Sequence, residues 1–286
     1  MTRWLVTGAG GQLGADLLRV LAAASAQVTG RTHQELDIAD RGALADAVRG
    51  VDVVVNAAGW TDVDGAESAE VAAHAANATA PGLVAQACAA AGATMIHLST
   101  DYVFSGDATT PYREENPTRP RSAYGRSKAA GERAVLASGA RAYVVRAAWL
   151  YGQTGHNFVR TMARLERERD TVDVVADQHG SPTWSRDLAA GLVALGESGV
   201  SPGVYHCTNA GDTTWFGLAR AVFSELGADP DRIHPTTTDR YPRPAPRPAY
   251  SVLSAVKWQA AGLPALRPWR AALIEAFRVG GEGLRG

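Results

Sequence analysis

Tyr124 and Lys128 stand four residues apart, and their spacing is the clearest sign of chemistry in the sequence. Residues 129–134 continue the segment in a pattern compatible with a helix, and positions i and i+4 share one helix face. An ammonium group beside a phenol favours the phenolate, so we predict that the pKa of Tyr124 falls from about 10 toward working pH. A tyrosine tuned in this way exchanges a proton with a substrate oxygen. The alternative is an exposed helix on which the two residues have no role.

A glycine-rich turn near the start of the chain favours a bound nucleotide. The apolar run Arg3–Thr7 predicts a buried strand, and Leu17, Leu18 and Leu21 repeat at helical spacing after the turn. Strand, glycine turn and helix are the setting of a phosphate-binding loop, because the helix N-terminus presents free N–H groups and a partial positive charge. A tight turn without a ligand is the alternative. The predicted cofactor-binding residues of the turn are Gly8, Gly10, Gly11, Gln12, Leu13 and Gly14.

Residues 26–31 form the predicted second strand, whose end bears on the choice of cofactor. An acidic residue there would hold the ribose 2′-OH of NADH, whereas an arginine accommodates the 2′-phosphate of NADPH. The strand ends in Arg31, which favours NADPH and leaves NADH as the alternative. Asp37 is predicted to accept from the adenine amino group and Ile38 to pack on the ring, unless Asp37 caps the helix that starts near Arg41. The remaining predicted cofactor contacts are Ala57, Ala58, Gly59, Leu98, Tyr124 and Lys128.

Apolar runs alternate with helical segments through the first half of the chain. Further strands are predicted at residues 51–56, 94–99 and 142–146, with one long helix over 68–91. This alternation predicts an α/β fold with a doubly wound parallel Rossmann sheet. Thr100 and Asp101 follow the run 94–99, at the carboxyl end of a strand, where ligands of such sheets bind.

Prolines and glycines loosen this pattern after residue 150. We therefore predict a Rossmann domain over residues 1–150. Residues 151–286 are predicted to form mainly a smaller substrate-binding lobe, with some segments that return to the Rossmann domain. Strands of the lobe are expected near 172–176 and 203–207, folded over the carboxyl edge of the sheet. His97 lies inside an apolar run and is predicted to be a satisfied core histidine.

Composition and charge are those of an ordinary globular protein. The 286 residues are 46% hydrophobic and 20% charged, with a net charge of −1, so we expect neither nucleic acid nor a membrane surface as a partner. Cys88 and Cys207 are too few for a disulfide scaffold and lack metal-ligand spacing, so both are predicted to be buried thiols. The sequence lacks the features of a signal peptide and any apolar run of about 18 residues, which predicts a cytoplasmic protein.

Further motifs complete a pattern that covers nearly the whole chain. They are Thr7-Gly8 with Gln12-Leu13-Gly14, Leu36-Asp37-Ile38, Val55-Asn56-Ala57-Ala58, Val63-Asp64 with Ala66-Glu67-Ser68, Ser99-Thr100-Asp101-Tyr102-Val103-Phe104, Tyr124-Gly125 through Lys128 with Gly131-Glu132, Arg146 through Trp149, Asn157-Phe158, Asp177-Gln178 with Gly180-Ser181-Pro182-Thr183, and Arg247-Pro248 with Ser251 and Leu253. This pattern resembles that of the dTDP-4-dehydrorhamnose reductases, a family of extended short-chain dehydrogenases/reductases. The stretches 99–104 and 177–183 are far more specific than the glycine turn.

The resemblance implies NADPH-dependent reduction of the C4 ketone of dTDP-4-dehydro-L-rhamnose to dTDP-L-rhamnose. The partner would be a dTDP-linked 4-keto-6-deoxysugar. Tyr124 would protonate the ketone oxygen, and Lys128 would lower the pKa of Tyr124 and bind the nicotinamide ribose. Thr100 would orient the carbonyl.

The same resemblance implies a set of substrate contacts. Asp101 and Trp149 would contact the sugar, whereas Asn157 and Arg247 would lie near the diphosphate. An arginine suits a diphosphate because its planar fork gives bidentate, charge-assisted bonds. The substrate-binding residues are thus predicted to be Thr100, Asp101, Tyr124, Trp149, Asn157 and Arg247.

Some positions depart from the family pattern. Gly65 stands where many relatives carry a lysine, and Tyr250 where the family more often has asparagine, which leaves room for another dTDP-4-keto-6-deoxysugar. Some relatives dimerise through a metal held by glutamates. Asp16 and Glu275 match two of those positions, but the Arg186 region breaks the third. This pattern argues against Mg²⁺ and against any metal site, and it predicts a monomer or a weak homodimer.

Other functions remain as alternatives. One is a 4-ketoreductase that acts on another dTDP-4-keto-6-deoxysugar of a specialised-metabolite pathway. Another is a non-catalytic, dinucleotide-binding regulatory subunit, although such a module would be free to lose Tyr124 or Lys128. An epimerase or dehydratase is disfavoured, because Tyr102 follows Thr100-Asp101 where dehydratases of this type carry a second acidic residue.

Overall fold

The computed structural model describes residues 1–280 and 282–285, and these residues contain a six-stranded parallel sheet. The strands, in chain order, are β1 (Arg3–Thr7), β2 (Gln27–Arg31), β3 (Val53–Asn56), β4 (Thr94–Thr100), β5 (Ala142–Ala147), β6 (Leu150–Tyr151), β7 (Val172–Val175), β8 (His179–Gly180), β9 (Thr183–Trp184), β10 (Gly203–His206), β11 (Thr213–Thr214) and β12 (Ile233–Thr236). The central sheet has the order β2-β1-β3-β4-β5-β10, and each neighbouring pair is parallel. The predicted doubly wound Rossmann sheet is therefore confirmed.

Helices cover both faces of this sheet, and others belong to the second half of the chain. The helices, in chain order, are α1 (Gln12–Ala23), α2 (Arg41–Ala47), α3 (Gly65–Ser68), α4 (Glu70–His74), α5 (Ala80–Ala91), α6 (Ala123–Leu136), α7 (Phe158–Glu168), α8 (Ser185–Glu197), α9 (Trp215–Glu225), α10 (Val256–Ala260), α11 (Trp269–Gly280) and α12 (Glu282–Arg285). One face buries Trp4 with Leu17 of α1 and Leu188 of α8. The other buries Val54 with Val84 of α5. The first three residues of β3 are buried valines because both faces of the strand are covered.

The edge strand β10 corrects one prediction. Residues 203–207 were expected in the smaller lobe, but β10 pairs in parallel with β5, placing Val204 beside Val144. That placement was wrong because an apolar run does not show which sheet it joins. The strand expected near 172–176 is present as β7 and pairs with β12 in a separate two-stranded sheet. A second apolar core, which includes Val159 and Phe223, lies in this half of the chain.

The long helix predicted over 68–91 runs from Glu70 to Ala91 and contains a turn that is not α-helical. A π-helical turn, Ala75–Thr79, separates α4 from α5. Within this turn the buried Asn77 bonds both backbone groups of Trp60, accepting from its N–H at 2.8 Å and donating to its C=O at 3.0 Å. It also donates to Ser127 Oγ at 3.0 Å, on α6. The predicted helix is therefore confirmed over residues 70–91, whereas its π-helical turn was not predicted, because an alanine-rich sequence does not reveal a single buried amide that reorganises a turn.

Several smaller predictions concern buried groups. Cys88 and Cys207 are free and buried, as predicted, and burial raises the pKa of the Cys88 thiol to about 12. His97 is fully buried and its Nδ1 lies 3.2 Å from Asn56 Nδ2. Its Nε2, however, lacks a hydrogen-bond partner among the described residues, so the prediction of a fully satisfied histidine is wrong for one nitrogen.

Among residues 1–280 and 282–285, none of the helices combines the length and the apolar character that a membrane span requires.

Candidate active site

A cavity of about 1120 Å³ runs along the carboxyl ends of the central strands. It is lined by most of the residues proposed from the sequence, namely Gly8, Gly10, Gly11, Gln12, Leu13, Gly14, Asp37, Ile38, Ala57, Ala58, Gly59, Leu98, Thr100, Asp101, Tyr124, Lys128 and Trp149. The turns after β1, β3, β4 and β5 and the first turns of α6 supply nearly all of them. The proposed residues Arg31, Asn157 and Arg247 lie outside the cavity wall.

The glycine turn between β1 and α1 is shaped for an anionic ligand. Gly8 has a φ of +71°, and a Cβ there would lie 2.6 Å from the backbone N of Ala58, so only glycine fits without strain. Helix α1 begins at Gln12, and its N-cap, Gly11, has no side chain to satisfy the first N–H groups. These N–H groups and the helix dipole face the cavity, which suits a phosphate or pyrophosphate.

The cavity continues past the end of β2, where Arg31 was predicted to contact the cofactor but is not part of the wall. Thr32 and His33 line it, while Arg31 is exposed at the end of the strand. The sequence signal for these two residues was only their position directly after the strand. Asp37 lies at the cavity wall, and the alternative that it caps α2 is wrong, because Asp40 accepts from the first N–H groups of that helix at 2.8 and 3.1 Å.

The carboxyl end of β4 and the start of α6 bring the proposed catalytic residues to one part of the cavity. Thr100 is the last residue of β4, and Tyr124 and Lys128 lie on consecutive turns of α6. Ser122 caps this helix by accepting from a first-turn N–H at 3.0 Å. The ammonium of Lys128 donates to the C=O of Leu98 at 2.5 Å, which fixes α6 against β4. The arrangement places a hydroxyl, a phenol and an amine around one opening.

The pKa of Tyr124 moves in the direction opposite to the prediction. Desolvation of the phenol, with a smaller contribution from the charge of Asp101, raises this pKa to about 12 against the lowering effect of a hydrogen bond with Thr100. The prediction that the pKa of Tyr124 falls toward working pH is therefore wrong for this structure, because desolvation of the phenol is the largest influence on it. The phenol is protonated at neutral pH, so it can serve as a proton donor.

Lys128 and Asp101 also have shifted pKa values. Burial lowers the pKa of the Lys128 amine to about 8, and the negative charge of Glu132 opposes this change. Burial raises the pKa of the Asp101 carboxyl to about 6, and hydrogen bonds oppose that shift. One Asp101 oxygen accepts from Thr100 Oγ1 at 2.9 Å, and the other has no partner in the described part of the chain. Perturbed groups of this kind in a cleft are typical of a functional site.

A buried ion pair holds α6 to the sheet beneath these residues. Glu132 of α6 accepts two hydrogen bonds from Arg146 of β5, at 2.7 and 2.8 Å, and a third from Ser99 Oγ of β4 at 2.5 Å. The side chain of Glu132 is 5% exposed and that of Arg146 is 3% exposed. Since Ser99 precedes Thr100, this network fixes the end of β4 relative to the helix that carries Tyr124.

Arg247 and Asn157, which were proposed to lie near a diphosphate, have protein partners. Arg247 donates to Asp64 at 2.8 Å, and Arg243 makes a second ion pair with the same carboxylate. Asp64 thus anchors the proline- and arginine-rich loop. Asn157 is the N-cap of α7 and donates to the C=O of Gly152 at 2.9 Å. Gly65 and Tyr250, the departures from the family pattern, also lie outside the cavity wall.

Trp60, Tyr102 and Trp215 are aromatic residues of the wall that had no proposed role. Trp215, the first residue of α9, stacks on Trp149 with ring centroids 3.5 Å apart. No motif marked Trp215, because it lies far along the chain in a region without regular spacing. Tyr102 meets Tyr124 edge to face with centroids 5.6 Å apart. It belongs to the motif 99–104, which could have identified it.

The described residues 1–280 and 282–285 contain no cluster of three or more His, Cys, Asp or Glu side chains suited to a metal. Asp16 accepts from Ser185 and pairs with Arg19, whereas Glu275 pairs with Arg278. The two carboxylates that resembled a shared metal site are therefore engaged in separate interactions.

A parallel sheet with a glycine turn, and with a Thr–Tyr–Lys group at its carboxyl edge, defines a dinucleotide-binding oxidoreductase of the short-chain dehydrogenase/reductase class. The RmlD substrate binding domain family matches residues 2–279, and the chain belongs to this family.

Named relatives are similar over almost their full length. The dTDP-4-dehydrorhamnose reductase of Streptomyces griseus is 54% identical, over 96% of this chain and 93% of its own. A probable dTDP-4,6-dihydroxy-2-methyloxan-3-one 4-ketoreductase of Streptomyces antibioticus is 52% identical, over 96% and 94%. The crystal structure of a dTDP-4-dehydrorhamnose reductase from Bacillus anthracis in complex with NADP superposes with a TM-score of 0.93 at 34% identity, covering 97% of this chain and 99% of that one. The predicted family is thus confirmed.

Proposed function

We propose that the protein reduces the C4 ketone of dTDP-4-dehydro-L-rhamnose with NADPH, which yields dTDP-L-rhamnose. The observation that carries the proposal is the convergence of Thr100, Tyr124 and Lys128 on a cavity that also holds the glycine turn. The names of the Streptomyces griseus and Bacillus anthracis relatives support this substrate, and the NADP of the latter supports the cofactor.

The residues present fit a nicotinamide dinucleotide. The turn at Gly8 and the start of α1, which no side chain caps, suit its pyrophosphate, and the small residues Ala57 and Ala58 let it lie against the backbone. When bound, the reduced nicotinamide supplies the hydride. Thr32 and His33 line the cavity beyond β2, where a 2′-phosphate would be recognised in this type of fold.

Proton transfer falls to the chain's own residues. Tyr124, protonated at neutral pH, gives its proton to the ketone oxygen as that oxygen gains charge. The hydroxyl of Thr100, which donates to Asp101 in the free protein, turns to donate to the same oxygen and orients the carbonyl. The phenolate that remains is stabilised by the ammonium of Lys128, whose charge compensates it across a buried site. In this scheme Lys128 acts on the product of proton transfer, and no lowered phenol pKa is needed beforehand.

The direct test is an assay of the purified protein with NADPH and a panel of dTDP-ketosugars. We expect loss of NADPH absorbance with dTDP-4-dehydro-L-rhamnose and slower loss when NADH replaces NADPH. Absence of turnover with every ketosugar would reject the reductase and would favour a regulatory subunit that only binds the dinucleotide.

The pKa of Lys128 predicts the basic side of the pH profile. The amine is charged below about pH 8 and neutral above it, so kcat/KM should be maintained below that pH and fall as the pH rises through it. The sequence has only one other lysine, Lys257, which bonds the C=O of Val204 away from the cavity. Lys257→Met should leave the profile unchanged, whereas Lys128→Arg should lower the rate and remove this basic limb. An identical limb in Lys128→Arg would contradict the assignment.

A second candidate is a 4-ketoreductase for another dTDP-4-keto-6-deoxysugar. The Streptomyces antibioticus relative, nearly as similar as the Streptomyces griseus one, supports it. Gly65 and Tyr250 add nothing to this case, because both lie outside the cavity wall. The product's stereochemistry at C4, determined by NMR, separates the two functions.

The two-part organisation stays a proposal. A Rossmann domain over residues 1–150 and a mainly substrate-binding lobe over 151–286 are supported by the separate apolar core of the second half. Strand β10 and helix α8 are segments of that half that return to the central sheet and its covering layer. A monomer or weak homodimer also stays a prediction, which sedimentation velocity tests.

A further inference from the structure

Trp149 is held in an unusual conformation by two residues outside the proton-transfer group. Its φ is +45°, in the left-handed region that bulky residues rarely adopt. The ring of Trp215 stacks on its indole with an interplanar angle of 5°. Gly180 lies against the same indole, so closely that a Cβ there would be 2.3 Å from Cε2 and 2.4 Å from Nε1. A strained backbone persists only where its surroundings fix it, and here the contacts that fix it are visible.

A single small sheet positions both contacts. Gly180 ends β8, which pairs with β11 so that Gly180 stands beside Thr213. Trp215 follows β11 directly, and Thr214 caps α9 by accepting from Gly217 N–H at 3.0 Å. Displacement of this sheet would therefore move both residues that touch Trp149. The motif Gly180 to Thr183, which the sequence marked as highly specific, thereby gains a physical role.

The Trp149 indole lies in the same part of the cavity wall as the proposed catalytic residues. Trp149 follows β5 by two residues, and Ala147 at the end of β5 stands beside Thr100 in the register of the central sheet. Trp149 and Trp215 line the same cavity as Thr100 and Tyr124. An aromatic ring at this place forms a wall of the compartment that receives the group bearing the carbonyl.

We propose that Gly180 and Trp215 are positioning residues that fix the Trp149 indole and thereby determine which ketosugars fit the compartment. The inference rests on the proposed function for the identity of the ligand. A methyl group added at position 180 would overlap the indole and displace it, whereas loss of the ring at position 215 would release it. Both changes alter the fit of the sugar and leave the glycine turn and the proton donor in place.

The test compares Gly180→Ala with Gly42→Ala, a helical glycine whose added Cβ would meet its nearest atom at an ordinary 3.4 Å. For Gly180→Ala we expect the ketosugar KM to rise at least about tenfold with kcat changed less than about threefold, the pattern of lost substrate binding. The dissociation constant of NADPH should stay within about twofold of wild type, since the dinucleotide site is untouched. Gly42→Ala should match wild type in every measurement. Trp215→Leu should behave like Gly180→Ala, and Trp215→Phe should restore most of the affinity because a stacked ring is kept.

A second measurement does not depend on turnover. In a spectrum of ¹⁵N-indole-labelled protein, the Trp149 signal is assigned by its loss in Trp149→Phe, and it should move in Trp215→Leu because the stacked ring is removed. An unmoved signal, or a ketosugar KM within about twofold of wild type in folded Gly180→Ala and Trp215→Leu, would overturn the proposal. If Gly180→Ala does not fold, Trp215→Leu decides. If wild type reduces no ketosugar, the proposed function fails while the indole signal still decides whether Trp215 holds Trp149.

Discussion

Replacement of Tyr124 by phenylalanine is expected to lower kcat/KM for ketone reduction by about a thousandfold, the usual scale for loss of a positioned proton donor. The ring can still meet Tyr102 edge to face, so the fold of α6 should be retained. NADPH binding should be nearly unchanged, because the variant keeps the aromatic ring, Lys128 and the glycine turn, which line the same cavity. The measurement is the initial rate of NADPH consumption with dTDP-4-dehydro-L-rhamnose, together with NADPH titration of the same variant.

Other tyrosines provide matched controls. The hydroxyl of Tyr205 donates to the C=O of Ser201 at 2.7 Å, outside the cavity, and Tyr205→Phe should keep nearly full activity. Tyr102 lines the cavity, and Tyr102→Phe shows whether the neighbouring phenol shares the role. The proton-donor assignment would be wrong if Tyr124→Phe retained more than about a tenth of the wild-type rate, or if the loss appeared in Tyr102→Phe instead.

The largest expected loss of stability comes from Glu132→Gln. Without the carboxylate, the guanidinium of Arg146 is left as an uncompensated charge in a site where its side chain is 3% exposed. Breaking one partner of such a pair typically costs about 3–5 kcal/mol, so the free energy of unfolding should fall by about that amount. Urea unfolding followed by circular dichroism measures it.

Two controls test whether the loss of stability comes from the unpaired buried charge. Asp46→Asn breaks an ion pair with Arg49 whose side chains are 77% and 79% exposed, and no measurable change in the urea midpoint is expected. The double variant Glu132→Met with Arg146→Met removes both charges and should be more stable than Glu132→Gln, because no buried charge is then unpaired. A Glu132→Gln protein that unfolds at the wild-type urea concentration would show that the pair does not stabilise the fold.

Much of the fold was readable in the sequence because its strands are buried on both faces. β1, β3, β4 and β5 are short apolar runs bounded by glycines or polar residues, and runs of this kind between helical segments are typical of strands in a covered parallel sheet. The glycine turn was readable for a similar local reason, since Gly8 needs a conformation that other residues avoid. The grouping of Thr100 with Tyr124 and Lys128 followed from strand order, because carboxyl ends of parallel strands share one edge of a sheet.

The remainder depends on contacts between distant segments. The direction of the Tyr124 pKa shift could not be predicted from spacing, because burial of the phenol depends on elements that the motif does not contain. The π-helical turn accompanies hydrogen bonds from Asn77 to Trp60 and Ser127. The position of the Arg247 side chain is set by its ion pair with Asp64, which lies 183 positions earlier in the chain. No local sequence pattern identified Trp215, because its role depends on its contact with Trp149, a residue distant in the sequence.

The stack of Trp149 and Trp215 separates two properties that many active sites combine. The proton donor and its supporting amine belong to α6, fastened to the central sheet by the Glu132–Arg146 pair, whereas the indole is held from the short sheet of β8 and β11. Substrate range can therefore diverge between related chains through changes in that short sheet, while the chemical step is inherited intact.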